Sequence, residues 1–279
     1  MFYLEIAKVA IVNGKRGHEP VFEALDLIDF KPALAGFSKV LIKVNFITTM
    51  TWDTGATTDP IVVEAIIKRI RTLPVEIYVV ESDATMTNAG KAFEATGMAE
   101  MCRQNGVKYL NLRNVDDKVN VKIPNGKSLK DITIPRLATE SAIISAAKMK
   151  THSSTKVTLG MKNMFGLLPD KFKAKYHAKG ISKVIVDINT VLKPHLTVID
   201  GFVAMEGNGP INGTPIEMNL IIAGKDPVAT DATAARVMGI DPHEIRHIRE
   251  AHQKGIGEID NVAVLGSKVE NVRREFKRK

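Results

Sequence analysis

The sequence predicts an α/β fold: a mainly parallel sheet flanked by helices, with a small antiparallel hairpin insertion near 111–135. Three observations predict it. Short runs rich in Val and Ile recur along the chain, segments of helical period separate several of them, and one alternating stretch with turn residues interrupts the pattern.

The strand candidates, in order, are IAKVAIV (6–12), KVLIKVN (39–45), EIYVVE (76–81), SAIISAA (141–147), LTVID (196–200) and MNLIIAG (218–224). Each is bounded by charged or turn-forming residues, as buried strands are. The clearest helix covers 60–72: Asp59 offers an N-cap, Pro60 occupies the first turn, and Ile61, Ala65, Ile66 and Ile70 fall at helical spacing. The same Asp-Pro chemistry starts two further helices, at Asp226-Pro227 and Asp241-Pro242. A helix beginning near Ser154 would put Val157, Met161, Met164, Phe165 and Leu168 on one face. The segment 111–135 alternates in character and holds Pro124 and an Asn125-Gly126 turn, the chemistry of a hairpin. No repeat, low-complexity tract or Pro/Ser-rich linker divides the chain, so residues 1–279 read as one domain.

The 279 residues are 44% hydrophobic and 25% charged, enough to bury a full core. A net charge of +8 is concentrated between Ala146 and Lys179, where eight lysines face a single acid, Asp170. Nucleic acid is an unlikely partner, because aromatics make up only 5% of the chain and single-strand binders need stacking platforms. The one cysteine, Cys102, excludes an intrachain disulfide and an iron-sulfur cluster ligated by this chain alone. The N-terminal MFYLEIAKVAIVNGK carries charge within its apolar run, and no run approaches about 18 uncharged apolar residues. A cytoplasmic protein with no membrane partner is expected. The basic tail 268–279 reads as a solvated helix end or frayed terminus.

In an open parallel sheet, ligands collect at the carboxyl ends of the strands. Those ends deliver Lys43 and Asn45, Glu81 and Asp83, then Lys148, Lys150 and His152, and finally Asp200. The loops add Thr57 and Thr58 before a helix N-terminus, Lys162 and Asn163 after TKVTLG, and Glu206 and Asn208 within DGFVAMEGNGP. The lysines therefore line a cleft whose other wall is expected to carry Asp83, Asp200 and Glu206. Such mixed charge suits a small anionic ligand held by lysines, a divalent metal held by Asp200 and Glu206, or both. His152, Asp200 and Glu206 are the catalytic candidates. Asp231, in a helix of small and apolar residues, joins them as an acid–base group if it is buried, or is an exposed helix acid if it is not. Thr57, Thr58 and Asp83 serve equally well as helix caps, and Lys171, Lys173, Lys175 and Lys179 read as a solvated face or mobile loop. HEIRH (243–247) matches the zinc-protease pattern but follows Asp241-Pro242, where a capping-box role for Glu244 explains it without a metal.

GATTDP, KMKTH…VTLGMKNMFGLLP, the Lys175-Tyr176-His177 step, VIDGFVAMEGNGPINGTP and IIAGKDPVATDATAARVMGIDP together resemble the domain of unknown function 362 family, over roughly 40 to 260. The resemblance implies a conserved α/β core with motif residues at Lys43, Asn45, Lys148, Lys150, His152, Lys162, Asn163, His177, Asp200, Glu206, Asn208 and Asp231. The family is commonly iron-sulfur associated through a cysteine segment that this chain lacks, and its pattern has Pro where Ala147 stands. A looser, fold-level analogy links such clusters to the lactate racemase family, which binds a nickel-pincer nucleotide. The reading is an enzyme binding a small phosphate- or carboxylate-bearing ligand or a nucleotide-like cofactor. The alternatives are an accessory protein that docks an acidic redox partner and, behind it, a nucleic-acid binder.

Overall fold

In the computed structural model of the protein, residues 6–278 are described; Met1–Glu5, which open the first apolar run, and Lys279, which ends the basic tail, lie outside them. The strands are β1 (Ala7–Asn13), β2 (Lys39–Lys43), β3 (Glu76–Glu81), β4 (Lys108–Asn111), β5 (Lys118–Lys122), β6 (Asp131–Pro135), β7 (Ala142–His152), β8 (Lys156–Thr158), β9 (Leu196–Glu206), β10 (Thr214–Gly224) and β11 (Val262–Gly266). The main sheet runs β11-β1-β10-β9-β7-β2-β3-β4, with β8 added to the end of β7. Within it β2, β3, β4, β7 and β9 pair in parallel, as do β1 and β11, while β10 runs antiparallel to both its neighbours.

The direction of β10 follows from the length of its connection. A parallel return needs a crossover of about a dozen residues or more, whereas β9 and β10 each run longer than their apolar runs suggest and are joined through 207–213 alone. Helices cover both faces. Val62, Ile66 and Ile70 of helix Pro60–Ile70 pack with Val40, Ile42 and Val79 in one core, and Val184, Ile185 and Ile188 of helix Ile181–Val191 pack with Leu41, Ile143 and Ile199 in the other.

The caps follow the Asp-Pro chemistry. Asp59 accepts from the Ile61 amide at 3.0 Å, and Asp226 from Val228 and Ala229 at 2.8 and 2.9 Å. Asp241 caps only a single 3-10 turn, Pro242–Glu244, and Ile245 is extended before helix Arg246–Gln253 begins. The two histidines of HEIRH are therefore not on one helix. Glu244 forms no capping box; it pairs with Lys156 at 2.9 Å.

The chain after Ser154, the C-terminal tail and Lys173 depart from expectation, and the expected hairpin forms. The chain after Ser154 forms the short strand β8, and the helix begins at Gly160. A helix from Ser154 would leave the edge of β7 bare, whereas β8 pairs with it from Lys150 to His152. The hairpin β5–β6 forms, but its loop spans 123–130 and is held by Asp187, whose oxygens accept the amides of Lys127, Ser128 and Leu129 at 3.0, 2.6 and 2.9 Å. The tail is docked: the Phe276 ring is buried, the Phe276 amide reaches Met238 O at 3.1 Å, and the Lys277 amide reaches Glu206 Oε2 at 2.9 Å. Lys173 is no surface residue, being only 7% exposed. Among the described residues no helix is long and apolar enough to cross a membrane.

Candidate functional site

At the carboxyl ends of β2, β3 and β7 the chain encloses a cavity of about 190 Å³. Lys43, Asn45, Glu81, Ser82, Lys150 and His152 reach it from those strands, Thr158 from β8, Lys162, Asn163 and Phe165 from the short helical segment after β8, and Lys173 and His177 from the following loop and turn. Phe46, Ile47, Pro210 and Ile211 add an apolar wall.

The polar lining is built as a network around Asn163. Its amide nitrogen donates to Lys43 O at 2.8 Å and Ser145 Oγ at 3.1 Å, and its oxygen accepts from Asn45 Nδ2 at 3.1 Å and Lys43 Nζ at 3.2 Å. Asn163 sits there because Asp231 holds the start of its helix: the buried carboxylate accepts from Gly160 N at 2.8 Å and Met161 N at 2.9 Å. Burial pushes the Asp231 carboxyl up to about 7 against the pull of those two amides. At Gly160 a Cβ would lie 2.3 Å from Thr197 Cγ2 and 2.9 Å from Asp231 Oδ1, so only glycine lets this contact close.

Four lysines line the cavity with one carboxylate, Glu81. Glu81 is already committed: Oε1 lies 2.7 Å from Lys43 Nζ, and its oxygens also accept the amides of Ser82 and Phe46, both at 2.9 Å. Gly166 makes room for this pair, since a Cβ there would lie 2.3 Å from Lys43 Nζ. Lys173 donates to Ser82 Oγ at 2.7 Å and stands 5.5 Å from the Phe165 ring centre. Lys150, 1% exposed, donates to Ala56 O at 2.6 Å and has no carboxylate partner among the described residues. Lys162, half-buried, has no hydrogen-bond partner among the described residues.

Desolvation and mutual repulsion act on all these groups in one direction. Burial, then Lys162 and Lys148, hold the Lys150 amine well below the usual lysine range. Burial brings Lys162 and Lys173 down to about 8, with neighbouring lysines contributing at Lys162. Burial, with Lys162 and Lys150 beside it, takes His152 down to about 2, and it lowers His177 as well. His152 is thus a neutral imidazole; its Nδ1 accepts from Ser154 N at 3.0 Å, which leaves the proton on Nε2. Two buried polar atoms on the lining, Asn45 Oδ1 and Thr158 Oγ1, have no hydrogen-bond partner among the described residues.

Of the residues singled out from sequence, Lys43, Asn45, Lys150, His152, Lys162, Asn163 and His177 share this cavity. The acidic far wall is not there. Asp200 is fully buried beneath it, with Oδ2 2.9 Å from Lys148 Nζ and from the Asp59 amide, so Lys148 and Asp200 form an internal ion pair. Glu206 holds the C-terminal tail, and Asp83 accepts from Ala89 N, Asn111 and Arg113 at 2.9, 2.8 and 3.1 Å. Thr57 and Thr58 donate to the carbonyls of Met50 and Ala146, both at 2.8 Å. Asn208 is exposed and lines a second cavity of about 210 Å³, which shares His152 with the first. Sequence reasoning placed Glu81 at a strand end without giving it a role and read Lys173 as a solvated or mobile residue, yet both line the cavity. The strand-end rule reaches Glu81, but nothing in the spacing of KFKAK marks Lys173, where Phe172 is exposed and the lysine points inward.

Among the described residues no three His, Cys, Asp or Glu side chains stand together to hold a metal, and Asp200 and Glu206 are bound to other groups. A nucleotide-like cofactor fits only in part. The amines around the cavity suit the phosphate end of such a group.

Residues 40–236 match the family described as Domain of unknown function (DUF362). The thylakoid-associated protein sll1697 of Synechocystis sp. is 29% identical over 231 residues, covering 78% of this chain and 68% of that protein. The structure of the lactate racemase apoprotein from Thermoanaerobacterium thermosaccharolyticum superposes with a TM-score of 0.51 at 10% identity, over 86% of this chain; the chain spans 60% of that protein's length. At that identity the likeness is one of fold.

Proposed function

We propose, for a chain that belongs to the DUF362 family, that it is an enzyme binding a small phosphate- or carboxylate-bearing compound in the cavity at the carboxyl ends of β2, β3 and β7. One observation carries the reading: four lysines surround the cavity and its single carboxylate is taken by Lys43, so Lys150, Lys162 and Lys173 form no ion pair among the described residues. Grouped cations out of water repel one another and are poorly solvated, and an anion entering among them relieves both costs. Lys162 and Lys173 would bind the anion, with Lys43 held in place by Glu81 and Asn163. His152, neutral and protonated on Nε2, would donate a hydrogen bond to an oxygen of the ligand. The apolar wall of Phe46, Ile47 and Ile211 would take a short carbon skeleton.

The same burial favours a small ligand over a docked acidic protein. Lys148, Lys150 and Lys173 of the basic stretch face inward and Lys162 is half-buried, so much of that charge is not on a surface a partner could meet. It also favours an anion over a bare divalent cation as the primary ligand, given one carboxylate among four lysines.

Thermal denaturation in the presence of inorganic phosphate, small phosphomonoesters and di- and tricarboxylates tests the reading. A ligand at a hundred times its Kd stabilises the fold by about 2.7 kcal/mol, and Lys162→Met should reduce that shift without lowering the melting point of the free protein. No shift from any such anion, with Lys162→Met indistinguishable from the parent, would sink the reading.

A further inference from the structure

β7 carries two lysines two residues apart, and their surroundings differ. Lys148 meets the Asp200 carboxylate at 2.9 Å, and across the cavity Lys43 meets Glu81 at 2.7 Å. Lys150 is as deeply buried as either, and its one hydrogen-bond partner among the described residues is a backbone carbonyl, Ala56 O, at 2.6 Å. An ammonium there would keep N–H bonds with nothing to accept them in a wall shared with Lys43 and Lys162, while an uncharged amine donates one hydrogen to Ala56 O and keeps its lone pair. Directly across the β7–β8 ladder from Lys150 stands Thr158, whose buried hydroxyl on the cavity wall has no partner.

We infer that Lys150 is a nucleophile, and that the ligand of the cavity is an anionic carbonyl compound, an oxo acid or a phosphorylated aldehyde or ketone, with which it forms an imine. The inference rests on the anion reading above and names its substrate class. The Lys150 nitrogen lone pair attacks the carbonyl carbon, the C=O π pair moves to oxygen, and a proton passes from nitrogen to that oxygen to give the carbinolamine. The C–O bond then breaks: the remaining N–H proton passes to the departing hydroxyl, which His152 Nε2–H steadies by a hydrogen bond, the nitrogen lone pair forms the C=N bond, and the products are the imine and one water. The Thr158 hydroxyl lies beside Lys150 to bind the carbinolamine oxygen. The depressed basicity of the Lys150 amine is in keeping with this, since a lysine becomes nucleophilic when desolvated or placed next to another cation.

The test is reductive trapping on the full chain. The protein is incubated near neutral pH with pyruvate or glyceraldehyde 3-phosphate and sodium borohydride, and adducts are located by intact mass and peptide mapping. Lactate and glycerol 3-phosphate, which lack the carbonyl, are measured in parallel by thermal shift. The expected result is one reduced adduct per chain at Lys150, with roughly tenfold or greater excess over any surface lysine, since each unit of lowered basicity frees about ten times more amine. Lys150→Arg, which keeps a long basic chain in the same wall, should lose the adduct. Labelling spread over exposed lysines, or centred on Lys162 or Lys173, would overturn the assignment. Binding of lactate or glycerol 3-phosphate without any trapped adduct would overturn the imine and leave the anion site standing; no binding by any of the four compounds would remove both.

Discussion

Lys173→Met should stabilise the ligand-free protein near neutral pH, and the structure sets the size of the effect. Lys173 is 7% exposed, and burial lowers its amine from an ordinary 10.5 to about 8. At about 1.4 kcal/mol per unit, holding this group charged in the fold costs ~3 kcal/mol. Methionine removes that term together with two favourable ones: the hydrogen bond to Ser82 Oγ, ~1 kcal/mol, and the approach to the Phe165 ring, ~1 kcal/mol. The net gain is ~1 kcal/mol, a rise in Tm of roughly 2–4 °C for a chain of this size. The pH dependence supplies the sharper test. Because the folded chain releases this proton at about 8 and the unfolded chain near 10.5, the unfolded state binds more protons in between. Stability should therefore rise with pH over that window, by ~1 kcal/mol for Lys173 between about pH 7.5 and pH 9. An opposing, smaller term grows from about pH 8, since burial raises the Cys102 thiol from its ordinary 9.0 to about 12 and the unfolded chain loses that proton first. Urea denaturation followed by far-UV circular dichroism at both ends of the window measures the effect. The reasoning is refuted if the parent is flat or falls between the two pH values, or if Lys173→Met is less stable by the same amount at each.

Three further outcomes follow from single contacts. Lys148→Met leaves the Asp200 carboxylate buried without its cation and should destabilise the protein by about 3–5 kcal/mol, much of it recovered by adding Asp200→Asn, which removes the charge and keeps an acceptor for the Asp59 amide, as chemical denaturation of the single and double variants would show. Asp231→Ala removes both acceptors from Gly160 and Met161, so it should cost about 3 kcal/mol or more and weaken anion binding with it, because Lys162 and Asn163 ride on that turn; calorimetry of folding and binding reads the two together. With its basicity lowered to about 2, His152 should show no titration of its imidazole carbon–proton resonances between pH 5 and pH 8, and a midpoint in that range would contradict the neutral donor assigned to it.

Much of the fold was legible because its signals are local. Val- and Ile-rich runs announce β1, β2, β3, β7, β9 and β10, and the Asp-Pro pairs at 59 and 226 start helices through hydrogen bonds that span two or three residues. The lysines and histidine at the ends of β2 and β7 were legible for a topological reason, since parallel strands leave their carboxyl ends on one edge. The ends of the strands were less clear. β7 continues through Lys148, Lys150 and His152 because β8 and β9 supply ladder partners there, and polar residues do not advertise a buried strand.

From residue order come the class of fold, the concentration of positive charge in one stretch, and the edge of the sheet at which that charge arrives. Tertiary structure alone decided which groups have partners. Asp200 and Lys148, apart by 52 positions, neutralise each other beneath the cavity, while Lys150 and Lys162 near them in sequence do not find an acid. The physical reason is range: periodicity and capping act over a few residues, whereas the protonation and reactivity of a buried side chain depend on every charge within several ångströms, and folding brings those charges from distant parts of the chain.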